Sequence, residues 1–194
     1  MVKILTKWSY LIPFLSTREK LHLQEIANLL KSNHTTVRLY LNEFEKQGIL
    51  KKCIKGRLTL YQINKDSELM LDALTLAEKE NLLLWRSNCL ITNGITQKLQ
   101  EKTSKPVIIF GSSVENPKNA QDIDILTSEK NLNEEEIEKT FRKKLHVITV
   151  NNLSLVKETL KEEVFEKHII INNTEEVVKW LHLTGAKSKK MGLS

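Results

Sequence analysis

Two short stretches constrain this chain more than any others. They are Val107-Ile108-Ile109-Phe110-Gly111-Ser112-Ser113 and, with nine residues between Ser112 and its first aspartate, Asp122-Ile123-Asp124-Ile125-Leu126. The first reads as a buried strand of β-branched and aromatic residues ending at a glycine; the second reads as a strand with carboxylates at i and i+2. Strand side chains alternate faces, so Asp122 and Asp124 point the same way while Ile123 and Ile125 enter the core. Paired carboxylates suit Mg²⁺, which takes oxygen ligands, commonly one or two carboxylates plus the phosphates of a substrate. Gly111, with the Ser112 and Ser113 hydroxyls, gives a turn where a triphosphate approaches backbone N–H groups. Asp122 and Asp124 are therefore the candidate metal ligands and catalytic groups, and Gly111, Ser112 and Ser113 the candidate nucleotide contacts.

A hydrophobic strand, Gly-Ser, nine residues and Asp-Ile-Asp together resemble the nucleotidyltransferase superfamily typified by DNA polymerase β, in its minimal branch. The resemblance covers residues 82–150 or so. It implies an α/β domain with a small mixed sheet, Mg²⁺, and an NTP as substrate or ligand. Superfamily members that catalyse transfer carry a third carboxylate on a later strand. The matching strand here, His146-Val147-Ile148-Thr149-Val150, has none, and His146 reads as a polar residue at a strand start. Two aspartates can hold one Mg²⁺-nucleotide, whereas two-metal transfer needs more negative charge, which Glu115 or Glu158 would have to supply.

Net charge becomes informative once divided along the chain. Residues 1–66 hold 12 Lys/Arg against 5 Asp/Glu, while residues 67–194 hold 18 against 19, so the overall +6 arises entirely in the first third. Such asymmetry is a footprint of polyanion binding, because neutralising phosphates releases counterions. With 194 residues, 40% of them hydrophobic, the length allows one large or two small domains. Cys53 and Cys89 have no partner spacing, which points to a reducing cytoplasm and away from a disulfide or zinc framework. The apolar run Trp8 to Leu15 is interrupted by Pro13 and is too short to span a bilayer, so no membrane partner is expected.

The basic third has its own pattern. Lys3 to Leu15 reads as an opening helix, Leu21-His22-Leu23 as a short strand, and Gln24 to Leu30 as a second helix. A third helix follows, capped by Ser32 or Asn33, with Val37, Leu41 and Phe44 as its inner stripe and Gly48 at its end. Ile49 to Lys55 and Leu58 to Ile63 alternate as two strands around Lys55-Gly56-Arg57. Residues 1–66 thus resemble a winged helix-turn-helix of the bacterial and archaeal transcription-regulator type. That resemblance implies double-stranded DNA as partner, with Asn33, His34, Thr35, Arg38 and Asn42 on the groove-facing side of the third helix. Lys31, Lys51, Lys52, Lys55 and Arg57 would hold phosphates without reading sequence.

From Ser67 a leucine-rich helix runs on, with Leu69, Leu76, Leu83 and Leu90 seven apart. Ala73, Glu80, Ser87 and Gly94, four positions after each leucine, are too polar a set for a long coiled-coil seam. It reads as a connecting helix over 67–87, with a homodimer expected because regulators of this type pair to match two half-sites. The second domain, 88–186, continues with a helix into Val107, an acidic helix start at Asn133 to Glu138, a helix from Leu153 to Glu166, a strand at His168 to Ile171 and a helix from Thr174 to Leu183. A basic tail occupies 187–194. The expected whole is an α+β cytoplasmic protein, a winged helix-turn-helix followed by a nucleotidyltransferase-like α/β domain. The favoured function is a DNA-binding transcriptional regulator whose second domain binds Mg-NTP. Two alternatives stay open: an active enzyme moving NMP from NTP to a protein or RNA hydroxyl, and a toxin-antitoxin-type module with a protein partner.

Overall fold

The computed structural model describes residues 6–87 and 89–183. Lys3 to Leu5 of the expected opening helix, Asn88, and the basic tail Lys187-Ser188-Lys189-Lys190 lie outside the described residues. The protein is mixed α+β, and its contacts divide it into two units, one ending at Asn81 and one starting at Leu82.

The first unit opens on a 3₁₀ helix, Lys7–Phe14, where the apolar pattern predicts an α-helix. Pro13 supplies the reason: inside an α-helix its ring clashes with the carbonyl four residues back and it offers no N–H. The tighter helix still buries Tyr10, Leu11 and Phe14. Next come β1 (Leu21–His22) and α1 (Leu23–Leu30), which begins on a reciprocal cap: the His22 ring accepts from the Gln24 N–H and Glu25 accepts from the His22 N–H. Helix α2 (His34–Lys46) is capped by Asn33, whose Oδ1 accepts from the Thr35 N–H at 2.8 Å. Its stripe of Val37, Leu41 and Phe44 is fully buried. Gly48, at φ +73, takes the left-handed turn after the helix.

Strands β2 (Leu50–Lys55) and β3 (Leu58–Ile63) form a hairpin whose register runs Leu50 to Ile63 through Lys55 to Leu58, and β1 pairs on the far side of β3. The two-residue loop Gly56-Arg57 turns at Gly56, φ +60. Helix α3 spans Met70–Ser87. Met70, Ala73, Leu74 and Ala77 are buried, and the Ser9 hydroxyl donates to Glu80 at 3.0 Å. These contacts make the first part of α3 integral to the first unit, so the division falls at Asn81 and not ahead of the helix at Ser67. Leu69, Leu76 and Leu83 stand exposed.

In the second unit α4 (Leu90–Lys102) leads into β4 (Val107–Phe110), followed by the single-turn α5 (Ser112–Glu115), β5 (Asp122–Thr127), α6 (Glu134–Phe141) and β6 (Lys144–Thr149). A short 3₁₀ turn at Leu153–Leu155 separates from α7 (Glu158–Glu166), where one continuous helix is expected from sequence. Strand β7 (His168–Asn172) and α8 (Thr174–Leu183) complete the unit. The sheet runs β6-β5-β4-β7, parallel between β5 and β6 and antiparallel elsewhere.

Val107, Ile109, Ile123, Ile125, Leu145, Ile169 and Ile171 occupy one face of this sheet and join Ile95 and Leu99 of α4 and Ile137 of α6 in one core. Burying each such aliphatic side chain contributes about 1.5–3 kcal/mol. Helices α4 and α6 come close at Gly94, where an added Cβ would lie 2.5 Å from the Phe141 ring. Gly94→Val should therefore overpack this contact and lower stability by about 1–3 kcal/mol. A thermal melt checks it, with Gly94→Val/Phe141→Ala recovering part of the loss; an unchanged melt would show that the ring yields freely. Among the described residues no helix is long and apolar enough to cross a membrane.

Candidate functional site

In the second unit the site forms at the end of β4. Phe110 pairs with Asp124 across the antiparallel ladder, and the chain then turns at Gly111 with φ +74 and ψ −151, a conformation essentially reserved for glycine. The glycine lets the Asp124 carboxylate close in: a Cβ at position 111 would sit 3.0 Å from Asp124 Oδ2. The Gly111 N–H donates to the Lys167 carbonyl, and the Trp85 indole N–H donates to the Val114 carbonyl at 2.8 Å, so the turn is braced on both sides. Ile123 and Ile125 are buried, Asp122 is exposed and Asp124 half-buried, the alternation that a period-2 strand demands.

Ser112 is exposed at the turn. Ser113 is buried, and its hydroxyl donates to the Phe110 carbonyl at 3.3 Å. Of the two hydroxyls that the Gly-Ser-Ser pattern offers to a ligand, only that of Ser112 therefore faces outward.

His146 is the residue whose place the sequence understates. It is paired with Asp124 in the parallel ladder, and its Nδ1 lies 3.0 Å from Asp124 Oδ1. Its ring is mostly exposed, at 69%. It is more than a polar strand start, because it occupies the neighbouring-strand position next to the half-buried aspartate. Strand register, which joins residues 22 apart, carries that information, and no local pattern does. Glu115, a candidate for completing the carboxylate set, is engaged with Lys167 at 3.1 Å. Glu158 begins α7 and is exposed. Among the described residues no three His, Cys, Asp or Glu side chains gather as a metal-binding group. Asp122 and Asp124, on one face of β5, are hard oxygen donors of the kind Mg²⁺ takes alongside substrate oxygens and water.

In the first unit the candidate nucleic-acid residues fall into three groups. Thr35 and Arg38 lie exposed on α2, with His34 half-buried at its start and Asn33 engaged as its cap. Leu39, 64% exposed, shares that open surface; sequence reasoning misses it because a leucine in a helix is read as core. Lys55 and Arg57 flank Gly56 at the hairpin turn, and Lys31 sits at the left-handed end of α1. The remainder are tied to neighbours. Lys51 pairs with Asp66 at 2.5 Å. Asn42 Oδ1 accepts from both the Lys52 ammonium at 3.1 Å and the Tyr61 hydroxyl at 3.0 Å, so this amide oxygen links α2 to the hairpin.

Burial pushes the Tyr61 phenol above its ordinary pKa of 10.0, against an opposing pull from the Arg38 charge. A raised folded-state pKa favours the neutral hydroxyl, so this contribution to stability is fully present below pH 10 and is lost as pH rises through the folded value. The melting temperature should therefore fall above pH 10, and Tyr61→Phe should flatten that step while costing about 0.5–1.5 kcal/mol at neutral pH for the lost hydrogen bond. An alkaline melt series is the check, and an unaltered step in the variant would assign it to another group.

No protein-family model, curated protein or solved structure matches this chain.

Proposed function

We propose that the protein is a DNA-binding transcriptional regulator in which a winged helix-turn-helix unit docks on duplex DNA and a nucleotidyltransferase-like unit binds Mg-NTP. One observation carries the reading. Every residue of the hairpin from Lys51 to Leu58 is exposed, four of those eight are cations, and Ile54 is 71% exposed. This end of the hairpin buries almost nothing in its own unit, whose burial comes from Leu50 and Tyr61 at the other end, and its cations suit phosphates on either side of a groove. The α2 surface with Thr35, Arg38 and Leu39 would face base edges, the leucine against a thymine methyl. In the second unit Asp122 and Asp124 would hold the Mg²⁺ of a nucleotide whose phosphates approach Gly111 and Ser112. When bound, that ion would screen the phosphate charge.

Two measurements on the full chain test this. Duplex binding should weaken linearly in log salt, with a slope of about 0.9 per phosphate contact. Mg-ATP titrated by calorimetry should bind the parent and not Asp122→Asn/Asp124→Asn. Salt-independent or absent duplex binding sinks the first half, and equal heats from both proteins sink the second.

A second reading, transfer of NMP from an NTP to a protein or RNA hydroxyl, gains support from the His146 and Asp124 contact, which puts an exposed imidazole where the resemblance expects a third acidic group. Labelled ATP, GTP, CTP and UTP with cell lysate distinguish the two. Label incorporated by the parent and lost in Asp124→Asn establishes transfer, and no label with any of the four leaves the regulator reading.

A further inference from the structure

A cavity of about 620 Å³ opens at the start of β5 and β6. Its lining includes Asn119, Gln121, Asp122, Glu138, Arg142 and Lys144. Asp122 and Lys144 are direct partners in the parallel ladder, so their side chains leave the sheet on the same side. Arg142 closes α6 in the left-handed conformation, φ 53, and is exposed. Lys143 serves the backbone instead, its ammonium donating to the carbonyls of Lys118 and Ala120 and so tying the loop before β5 to the turn before β6. Glu138 accepts from the Leu145 N–H at 2.6 Å, which engages one of its carboxylate oxygens with the backbone. Two cations, Arg142 and Lys144, are left presented beside one outward carboxylate and two amides.

We infer that this cavity is a phosphate-binding subsite for one nucleotide unit of a single-stranded nucleic acid. The Arg142 fork and the Lys144 ammonium hold a phosphodiester, and Asn119 and Gln121 take the sugar hydroxyl and base-edge groups around it. The fork and the ammonium are the standard pair for phosphate oxygens. A nucleotide brings one anion surrounded by hydroxyl and amino donors, which matches two cations set among acceptors. An acidic peptide would instead bring a row of carboxylates against Asp122 and Glu138. The volume lies within the range of small-ligand pockets. That a nucleic acid is the occupant rests on the nucleotide reading above, in which the bordering Asp122 holds Mg²⁺; the cation pair does not.

The test uses the full chain carrying Arg38→Ala/Arg57→Ala, which weakens nucleic-acid contacts of the first unit. The probe is a fluorescein-labelled single-stranded RNA hexamer followed by anisotropy, with AMP, inorganic phosphate and a glutamate hexapeptide as competitors. In this background Arg142→Asn/Lys144→Gln should weaken the hexamer about a hundredfold or more, the scale of two charge-assisted hydrogen bonds. It should also lower the log-salt slope by about 0.7 per lost contact. Asparagine is chosen at 142 because it tolerates the left-handed conformation, and both side chains reach solvent, so the melt should hold. Arg142→Lys should restore part of the binding. The inference is overturned if the hexamer does not bind, if the double variant binds it as the background does, if inorganic phosphate competes as well as AMP and hexamer, or if the glutamate peptide displaces it equally. Mg-ATP binding by the parent is measured separately: its failure with hexamer dependence intact would remove the nucleotide reading and leave the subsite standing.

Discussion

Gly111→Ala should abolish Mg-ATP binding and destabilise the second unit at once. The backbone at this position, φ +74 and ψ −151, lies where side chains are essentially excluded, at a cost of about 1–3 kcal/mol. For a unit of this size each kcal/mol moves the melting temperature by roughly 4–8 °C. The new Cβ would also arrive 3.0 Å from Asp124 Oδ2, pressing on the carboxylate that faces His146. Relaxation shifts either the Asp124 carboxylate, which also contacts His146, or the turn itself by a few tenths of an ångström. Asp124→Ala provides the contrast, since it removes the clash target and leaves the turn unstrained. Melts with and without Mg-ATP separate the two contributions. A Gly111→Ala protein that melts lower yet is still stabilised by Mg-ATP would show that nucleotide does not bind at this turn.

The other large effect concerns duplex DNA. Removing Arg38 should cost about 1–3 kcal/mol of affinity on a preferred sequence and relax discrimination at one base position, the signature of a base-edge contact. Removing Lys55 and Arg57 should weaken all sequences alike and lower the log-salt slope by about 0.9 for each contact. Lys51→Ala should do less than either, because its ammonium already pairs with Asp66 at 2.5 Å. Competition binding against random duplex at three salt concentrations separates these patterns. Equal losses for Lys51, Lys55 and Arg57 would indicate diffuse attraction and no docked hairpin.

What can be read from the amino-acid order is mostly what neighbours in the chain decide. The Asn33 cap, the Val37-Leu41-Phe44 stripe, the Gly48 exit, the hairpin turn at Gly56 and the inward Ile123 and Ile125 all follow from spacing and backbone preference within a few residues. What cannot be read depends on pairing across the fold. Asp124 meets His146 through strand register, Ser113 on the single-turn α5 turns back to the Phe110 carbonyl, and Asn42 is claimed by Lys52 and Tyr61 from the hairpin. The division inside α3 is hidden for a related reason. Its small residues, Ala73 and Ala77, look featureless in sequence, yet they are what lets the helix sit closely in the first unit. Pro13, by contrast, is visible, and its ring chemistry argues against an α-helix at the start.

The two donors that converge on Asn42 Oδ1 have a consequence for kinetics. Helix and hairpin are fastened to one another before any partner arrives, so the ordering that a loose arm would undergo on contact has already taken place during folding. Encounter then resembles the meeting of two finished shapes, with a speed governed by diffusion and charge and little delay for rearrangement.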